Sequence, residues 1–157
     1  MLGFTTYQVL KAFHVLAAVT WVGGGIALQV VAIRLVREAD PVRMRGFAGD
    51  VEWVGSHLFA PTSLLVLVLG IWMVILEPAW TFGQPWILFG LAAFAYSFVS
   101  GAFYLGPRSG RLKRLFEEQG EGSPEALALM RRLFAVSRVE LVILVLVVFD
   151  MVLKPGA

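Results

Sequence analysis

The sequence predicts an all-α integral membrane protein, folded as an antiparallel four-helix bundle. Of its 157 residues, 59% are hydrophobic and only 15% are charged, whereas average soluble domains are roughly 45–50% apolar and about 25% charged. Four segments are apolar over the length of about 20 residues that a helix needs to cross the hydrocarbon core. Most charged residues lie in the connections between these segments. We therefore expect one membrane domain over residues 1–157.

The four predicted spans cover residues 5–33, 54–76, 86–105 and 135–153. Between the second and third, the stretch EPAWTFGQP contains two prolines and a glycine, which predict a tight turn. Asp40-Pro41 and Ser123-Pro124 each combine a favoured N-cap with proline at the first helical position. The second and fourth helices are therefore expected to begin near these prolines and to extend beyond the membrane.

The distribution of basic residues predicts the orientation. Most of the 13 lysines and arginines lie in the first and third connections, and the second connection has none. The positive-inside rule then places the helical extensions in the cytoplasm and both termini outside. Trp80 and Trp86 are expected at the outer interface, where indole rings prefer to lie. The N-terminus lacks the features of a cleaved signal peptide, so we expect a multi-pass protein of the bacterial inner (plasma) membrane, with lipid as its main partner.

Two classes of function are disfavoured by composition. The chain has no cysteine, which excludes disulfides, thiolate metal sites and cysteine nucleophiles. It has no long basic run interleaved with aromatic residues, so a nucleic acid is not an expected partner.

Ionisable residues inside a span are costly, and each one is by default a hypothesis about function. Lys11 and Asp150 lie near the outer ends of the first and fourth spans, so we expect them at similar depth and paired. Arg34, Arg138 and Glu140 lie near the inner boundary. An ion-pair cluster joining the first and fourth helices is the simplest expectation for these three.

His14 is harder to explain, because it lies on the order of 10 Å inside the outer edge. Ala17, Ala18, Trp21 and Gly25 continue its helical face. One interpretation is tight helix packing, with His14 hydrogen-bonded to a neighbouring helix. The other is a flat cofactor resting on the small residues, since neutral imidazole is a standard axial ligand of haem. Spacing alone favours the packing interpretation.

His57 begins the second span at a different depth. It is expected roughly 10–15 Å below His14, so the two imidazoles should not share one haem iron. His57 is a weaker candidate for a second metal site, with an interface hydrogen bond as the alternative. The nearby Pro61 is expected to kink the helix and free a backbone carbonyl.

The stretch KAFHVLAAVTWVGGG resembles the first transmembrane helix of the HemJ-type protoporphyrinogen oxidases. The matching residues are Lys11, Ala12, His14, Trp21 and Gly24. The spacing from His to Trp and Gly is also similar to that of CopD-like copper-resistance domains. With its four spans and the YLGPRSGRL stretch after the third, the whole chain most resembles a family of predicted bacterial integral membrane proteins of unknown function related to these groups.

The resemblance implies haem b bound by His14 in the outer half of the bundle. Lys11 would pair with a propionate, and the pocket would be shaped by Ala17, Ala18, Trp21, Gly24 and Gly25. Two departures argue against HemJ chemistry. Ala27-Leu28-Gln29 stands where HemJ proteins have Leu-Pro-Arg, and the third span lacks the lysine that HemJ proteins carry there.

We therefore expect a small haem protein with a redox, electron-transfer or sensing role. As an enzyme, it would be a haem-dependent membrane oxidoreductase. A membrane redox partner or a second copy of the chain would be its protein partner. The alternatives are an accessory or structural membrane subunit without a cofactor and, less favoured because few polar residues line the spans, a transporter of small solutes.

Overall fold

The computed structural model describes residues 5–38, 40–120 and 122–156, and the regular secondary structure in these ranges is entirely helical. The first long helix is α1 (Thr6–Glu38). The second consists of α2 (Pro41–Val54), a π-helical segment (Gly55–Phe59) and α3 (Ala60–Leu76). The third consists of α4 (Pro85–Val99), a second π-helical segment (Ser100–Leu105) and α5 (Gly106–Gln119). The fourth is α6 (Pro124–Leu153). The predicted all-helical fold with four long helices is confirmed.

Three helices among the described residues are long and apolar enough to cross a membrane, namely Thr6–Glu38, Val42–Leu76 and Pro85–Gln119. The apolar part of α6 contains Arg138, Glu140 and Asp150, and α6 is not among the three. A membrane crossing by α6 and the orientation of the protein stay predictions.

The predicted helix starts are confirmed by their caps. The side chain of Asp40 accepts hydrogen bonds from the backbone N–H groups of Val42 and Arg43, at 3.0 and 3.3 Å. Ser123 Oγ accepts one from the N–H of Ala126 at 3.2 Å. These bonds satisfy N–H groups that lack a partner within the first helical turn, so α2 and α6 begin at the prolines that follow the caps.

Two π-helical segments interrupt the second and third long helices, and a proline follows each. The residue just before the proline donates its N–H to the carbonyl five residues back, Ala60 to Gly55 and Gly106 to Gly101. A proline ring clashes with the carbonyl four residues earlier in a regular α-helix, and the wider π turn accommodates it. The irregularity expected at Pro61 thus takes this form, and Pro107 produces a second one.

The helices pack in a defined order. α1 lies along α3 on one side and against α6 on the other, and α4 packs on α6, whereas the contact between α3 and α4 is slight. At the charged end, α2 and α5 join α1 and α6 around a buried apolar cluster that includes Leu35, Phe47, Phe116 and Met130. Many apolar side chains elsewhere are exposed, including Leu16, Ile75 and Val152. A surface of this kind suits contact with lipid.

Aromatic side chains pack together near the turn between α3 and α4. Trp80 packs edge-to-face on Trp86, with ring centroids 5.1 Å apart, and Lys154 Nζ lies 4.1 Å from the Trp80 ring centroid. Burial lowers the pKa of Lys154, the charge of Lys11 lowers it further, and Glu77 opposes both. Trp86 is only 4% exposed. Its ring packs with Val74 and Ile87, and its place at the membrane interface stays a prediction.

Candidate functional site

The ion pairs expected inside the spans do not form. Arg34 Nε instead contacts Glu38 Oε1 at 2.7 Å, because residues four apart meet on one helix surface. Glu140 is half-buried on α6, and in the described part of the chain no ion pair joins it to Arg34 or Arg138. Asp150 Oδ2 is buried without a hydrogen-bond partner, and among the described residues no ion pair joins Asp150 to Lys11. Both predicted pairings are wrong.

His14 packs against α3. A Cβ atom added at Gly70 would lie 3.2 Å from His14 Cε1, so this glycine makes room for the ring. The backbone of Val66, one turn earlier on α3, also interacts with the imidazole. His14 Nδ1 is buried and has no hydrogen-bond partner. The surroundings of His14 match the helix-packing interpretation, with one nitrogen left unsatisfied.

The small residues after His14 face neighbouring helices. Ala17 is buried, and Ala18 is half-buried. A Cβ at Gly24 would approach Phe59 Cε1 to 2.8 Å, and a Cβ at Gly25 would approach Leu141 Cδ1 to 3.2 Å. Protein side chains therefore occupy the space beside both glycines, where a flat cofactor was expected.

Two further members of the predicted site lie elsewhere. The Trp21 ring packs edge-to-face on Phe94, with centroids 6.4 Å apart. Lys11 is exposed. Of the predicted haem-binding residues, Trp21 and Gly25 line one cavity, whereas the residues that line it do not include His14, Lys11, Ala17, Ala18 or Gly24.

His57 lies at the first π-helical segment and is exposed. Its ring stacks on Trp53 at a centroid distance of 4.9 Å. Its Nδ1 lies 2.8 Å from Ser56 Oγ and 3.1 Å from the Trp53 carbonyl oxygen. Gly70, which His14 contacts, lies roughly 20 Å further along the same long helix, so the two imidazoles do not share a site. Among the described residues, no group of three or more His, Asp or Glu side chains could hold a metal ion.

A cavity of about 670 Å³ is lined by residues of all four long helices. Ligand pockets usually have volumes of about 300–1,000 Å³. The wall of the cavity includes six aromatic side chains, Trp21, Phe47, Phe59, Phe94, Phe98 and Phe134. Both π-helical segments also contribute to it. Such segments are frequent at functional sites, so the irregular backbone and the cavity coincide where a binding site would be expected.

The polar residues that line this largely apolar space include Ser97, Glu140 and Gln29. Ser97 is only 3% exposed, and its Oγ makes no hydrogen bond. Glu140 lies across the α4–α6 contact, close enough for the Ser97 hydroxyl to influence its carboxyl group, but the two side chains do not meet hydrogen-bond geometry. Gln29 Nε2 donates to the Phe134 carbonyl at 3.4 Å, but Gln29 Oε1 is buried and unpartnered. Most buried polar groups in proteins are hydrogen-bonded, so two unsatisfied oxygens on residues of one cavity wall are unusual.

Sequence reasoning missed this site, although one signal for it was present. The spacing Gly-x5-Pro occurs twice, from Gly55 to Pro61 and from Gly101 to Pro107. Each copy corresponds to one π-helical segment beside the cavity. Glu140 was noticed but assigned to an ion pair, and nothing in the sequence distinguished Ser97 from other helix serines.

The family model for predicted integral membrane proteins of type DUF2269 matches residues 8–155, and the chain belongs to this family. Neither the curated proteins nor the solved structures include a significant match. The likeness to HemJ-type and CopD-like proteins therefore rests on the first-helix motif and stays a prediction.

Proposed function

We propose, from membership of this integral membrane family, that the protein binds a small amphipathic molecule in the cavity between its helices. It would act as a membrane-embedded binding protein or carrier. The observation that carries the proposal is a cavity of about 670 Å³ whose largely apolar wall also contains Ser97, Gln29 and Glu140. A mostly apolar wall with a few convergent polar groups is typical of sites for small molecules.

A variant that fills the cavity tests this proposal. Gly101 lines the cavity, and a Cβ there would meet no atom within 4 Å. We expect Gly101→Leu to weaken ligand binding by about tenfold or more, since 1.4 kcal/mol of lost interaction corresponds to tenfold. The probes are naphthylmethylammonium, naphthylmethanol and naphthoate, titrated calorimetrically into the protein in detergent micelles, with protein-free micelles as blank.

Gly23→Leu is the matched control. Gly23 also has open space at its Cβ, but it is exposed on α1 and does not line the cavity. At least one of the three probes should bind the wild type and the Gly23→Leu variant alike. If none of them binds the wild type, or if Gly101→Leu leaves all binding unchanged, the cavity is not a ligand site.

Haem binding at His14 is the second candidate function, and the buried, unpartnered Nδ1 of this residue is the observation that favours it. The packing around the ring does not fit a porphyrin. The imidazole lies against Gly70, and the cavity wall does not include His14. A haem at this histidine would require α1 and α3 to separate.

An absorption spectrum decides on the second candidate. Protein purified from haem-supplied cells would show a Soret band that is lost or shifted in His14→Ala if His14 is an axial ligand. Colourless protein, or a band unaffected by His14→Ala, would reject this role and leave the cavity proposal intact.

A further inference from the structure

We infer that the ligand of the cavity is an organic cation, an ammonium group on an apolar body, whose charge is held by Glu140. This inference rests on the proposed function and specifies the chemical class of the ligand. It follows from three features of the cavity wall, namely its charges, its unsatisfied hydrogen-bonding atoms and its aromatic rings.

The charges in the cavity wall have one sign. Glu52 and Glu140 line the cavity, whereas the described lining residues include no Lys, Arg or His. Glu52 is exposed, but Glu140 is half-buried. A carboxylate removed from water needs an opposite charge to offset the cost of its desolvation. The protein supplies none in this wall, so a cationic ligand would complete the pair.

Two unsatisfied atoms on residues of the cavity wall can accept hydrogen bonds. Gln29 Oε1 is an acceptor only, and the Ser97 hydroxyl can also accept. An alkylammonium offers three donors and no acceptor, like the head of a lysine side chain. Glu140, Ser97 and Gln29 together thus present the complementary set. A carboxylate ligand would instead leave Gln29 Oε1 unsatisfied and place like charges together.

Aromatic rings provide the remaining part of the wall. Trp21 and Phe94 pack edge-to-face, and Phe98 stacks on Phe94 with centroids 6.2 Å apart. All three rings line the cavity. Their faces attract cations, and their surfaces suit an apolar ligand body. These rings therefore form an apolar part of the same wall that contains Glu140.

The experiment compares three ligands that share one ring system. Naphthylmethylammonium, naphthylmethanol and naphthoate are titrated into the protein in detergent micelles and corrected for binding to empty micelles. We expect the ammonium to bind the wild type most tightly. Glu140→Gln keeps the shape of the side chain but removes its charge, and should weaken ammonium binding by about tenfold or more.

Two further variants distinguish an effect of the site from general damage. Asp150→Asn removes another carboxylate of α6 that does not line the cavity, and it should leave ammonium affinity unchanged. Ser97→Ala removes one hydrogen-bonding partner, and it should weaken ammonium binding several-fold. Binding of naphthylmethanol should differ by less than about twofold between the wild type and Glu140→Gln, because the alcohol carries no charge to pair.

The possible results separate this inference from the proposed function. If naphthylmethanol or naphthoate binds as tightly as the ammonium, and Gly101→Leu abolishes that binding, the cavity is a ligand site but its ligand is not a cation. Ammonium binding unaffected by Glu140→Gln would also overturn the inference, whatever the effect of Ser97→Ala. If no probe binds in a way that depends on Gly101, the proposed function fails as well.

Discussion

At the scale of single residues, neighbouring glycines of α1 have different surroundings. A Cβ added at Gly24 would lie 2.8 Å from Phe59 Cε1, whereas one added at Gly23 would meet no atom within 4 Å. The two positions differ by one residue and hence by about 100° around the helix. The same substitution at both positions therefore distinguishes two effects on stability. Only Gly24→Leu disturbs close helix packing, whereas both variants lose a glycine.

We predict that Gly24→Leu destabilises the protein by about 1–3 kcal/mol, because the added side chain overpacks the contact with Phe59. Gly23→Leu should be neutral or stabilising by up to about 1 kcal/mol, since leucine favours the helix more than glycine does. Thermal unfolding in detergent, followed by circular dichroism, measures both. Equal melting temperatures for the two variants would contradict the packing of α1 on Phe59.

The residues that need an explanation could be identified from the sequence, but their partners could not. His14 and Glu140 were both recognised as costly inside a span, and both have unusual surroundings in the structure. The predicted partner of Glu140 was wrong because contacts across helices depend on helix rotation, which one sequence does not determine. Arg34 forms an ion pair with Glu38, four residues away on the same helix. Spacing alone could have predicted this local contact.

At the scale of elements, the sequence predicts where α2 and α6 begin. It predicts the π-helical interruptions of the long helices only in part. Cap residues act through local hydrogen bonds, so Asp40 and Ser123 could be read directly from the sequence. Pro61 indicated a kink, but its form depends on how the backbone adjusts to the missing N–H. No irregularity was predicted at Pro107, although this proline follows a glycine at the same spacing as Pro61 does.

The cap of α6 provides a prediction at this scale. Ser123 is only 4% exposed, and its Oγ accepts from Ala126 N–H and donates to Gln119 Oε1 at 2.6 Å. Ser123→Ala should cost about 1–2 kcal/mol of stability, because it removes the cap and leaves a buried N–H without its partner. Ser123→Thr keeps the hydroxyl and should lose less than half as much in the same unfolding assay. Similar losses for both variants would show that the cap contributes little.

At the scale of the whole molecule, the membrane class followed from composition, whereas the cavity did not. Apolar segments and clustered charges are properties of the sequence, and they do not depend on how the helices are arranged. The cavity depends on which helix faces meet, on the slight contact between α3 and α4, and on two π-helical segments that line the same space. It is also the feature on which the functional proposals rest.

Chemical labelling at Ser97 tests the cavity most directly, because the chain has no cysteine of its own. A Ser97→Cys variant is treated with methanethiosulfonate reagents that carry either an ethylammonium or an ethylsulfonate group. Thr81→Cys, in the exposed turn between α3 and α4, is the reference thiol. The labelling rates are measured by mass spectrometry of the folded protein.

We predict that the ratio of cation to anion labelling is at least about tenfold higher at Ser97→Cys than at Thr81→Cys, because an acidic cleft concentrates cations. Naphthylmethylammonium should slow labelling at Ser97→Cys and leave Thr81→Cys unchanged. A Ser97→Cys thiol that stays unlabelled while Thr81→Cys reacts, or one that reacts unhindered by the ammonium probe, would contradict a ligand-binding cavity at this position.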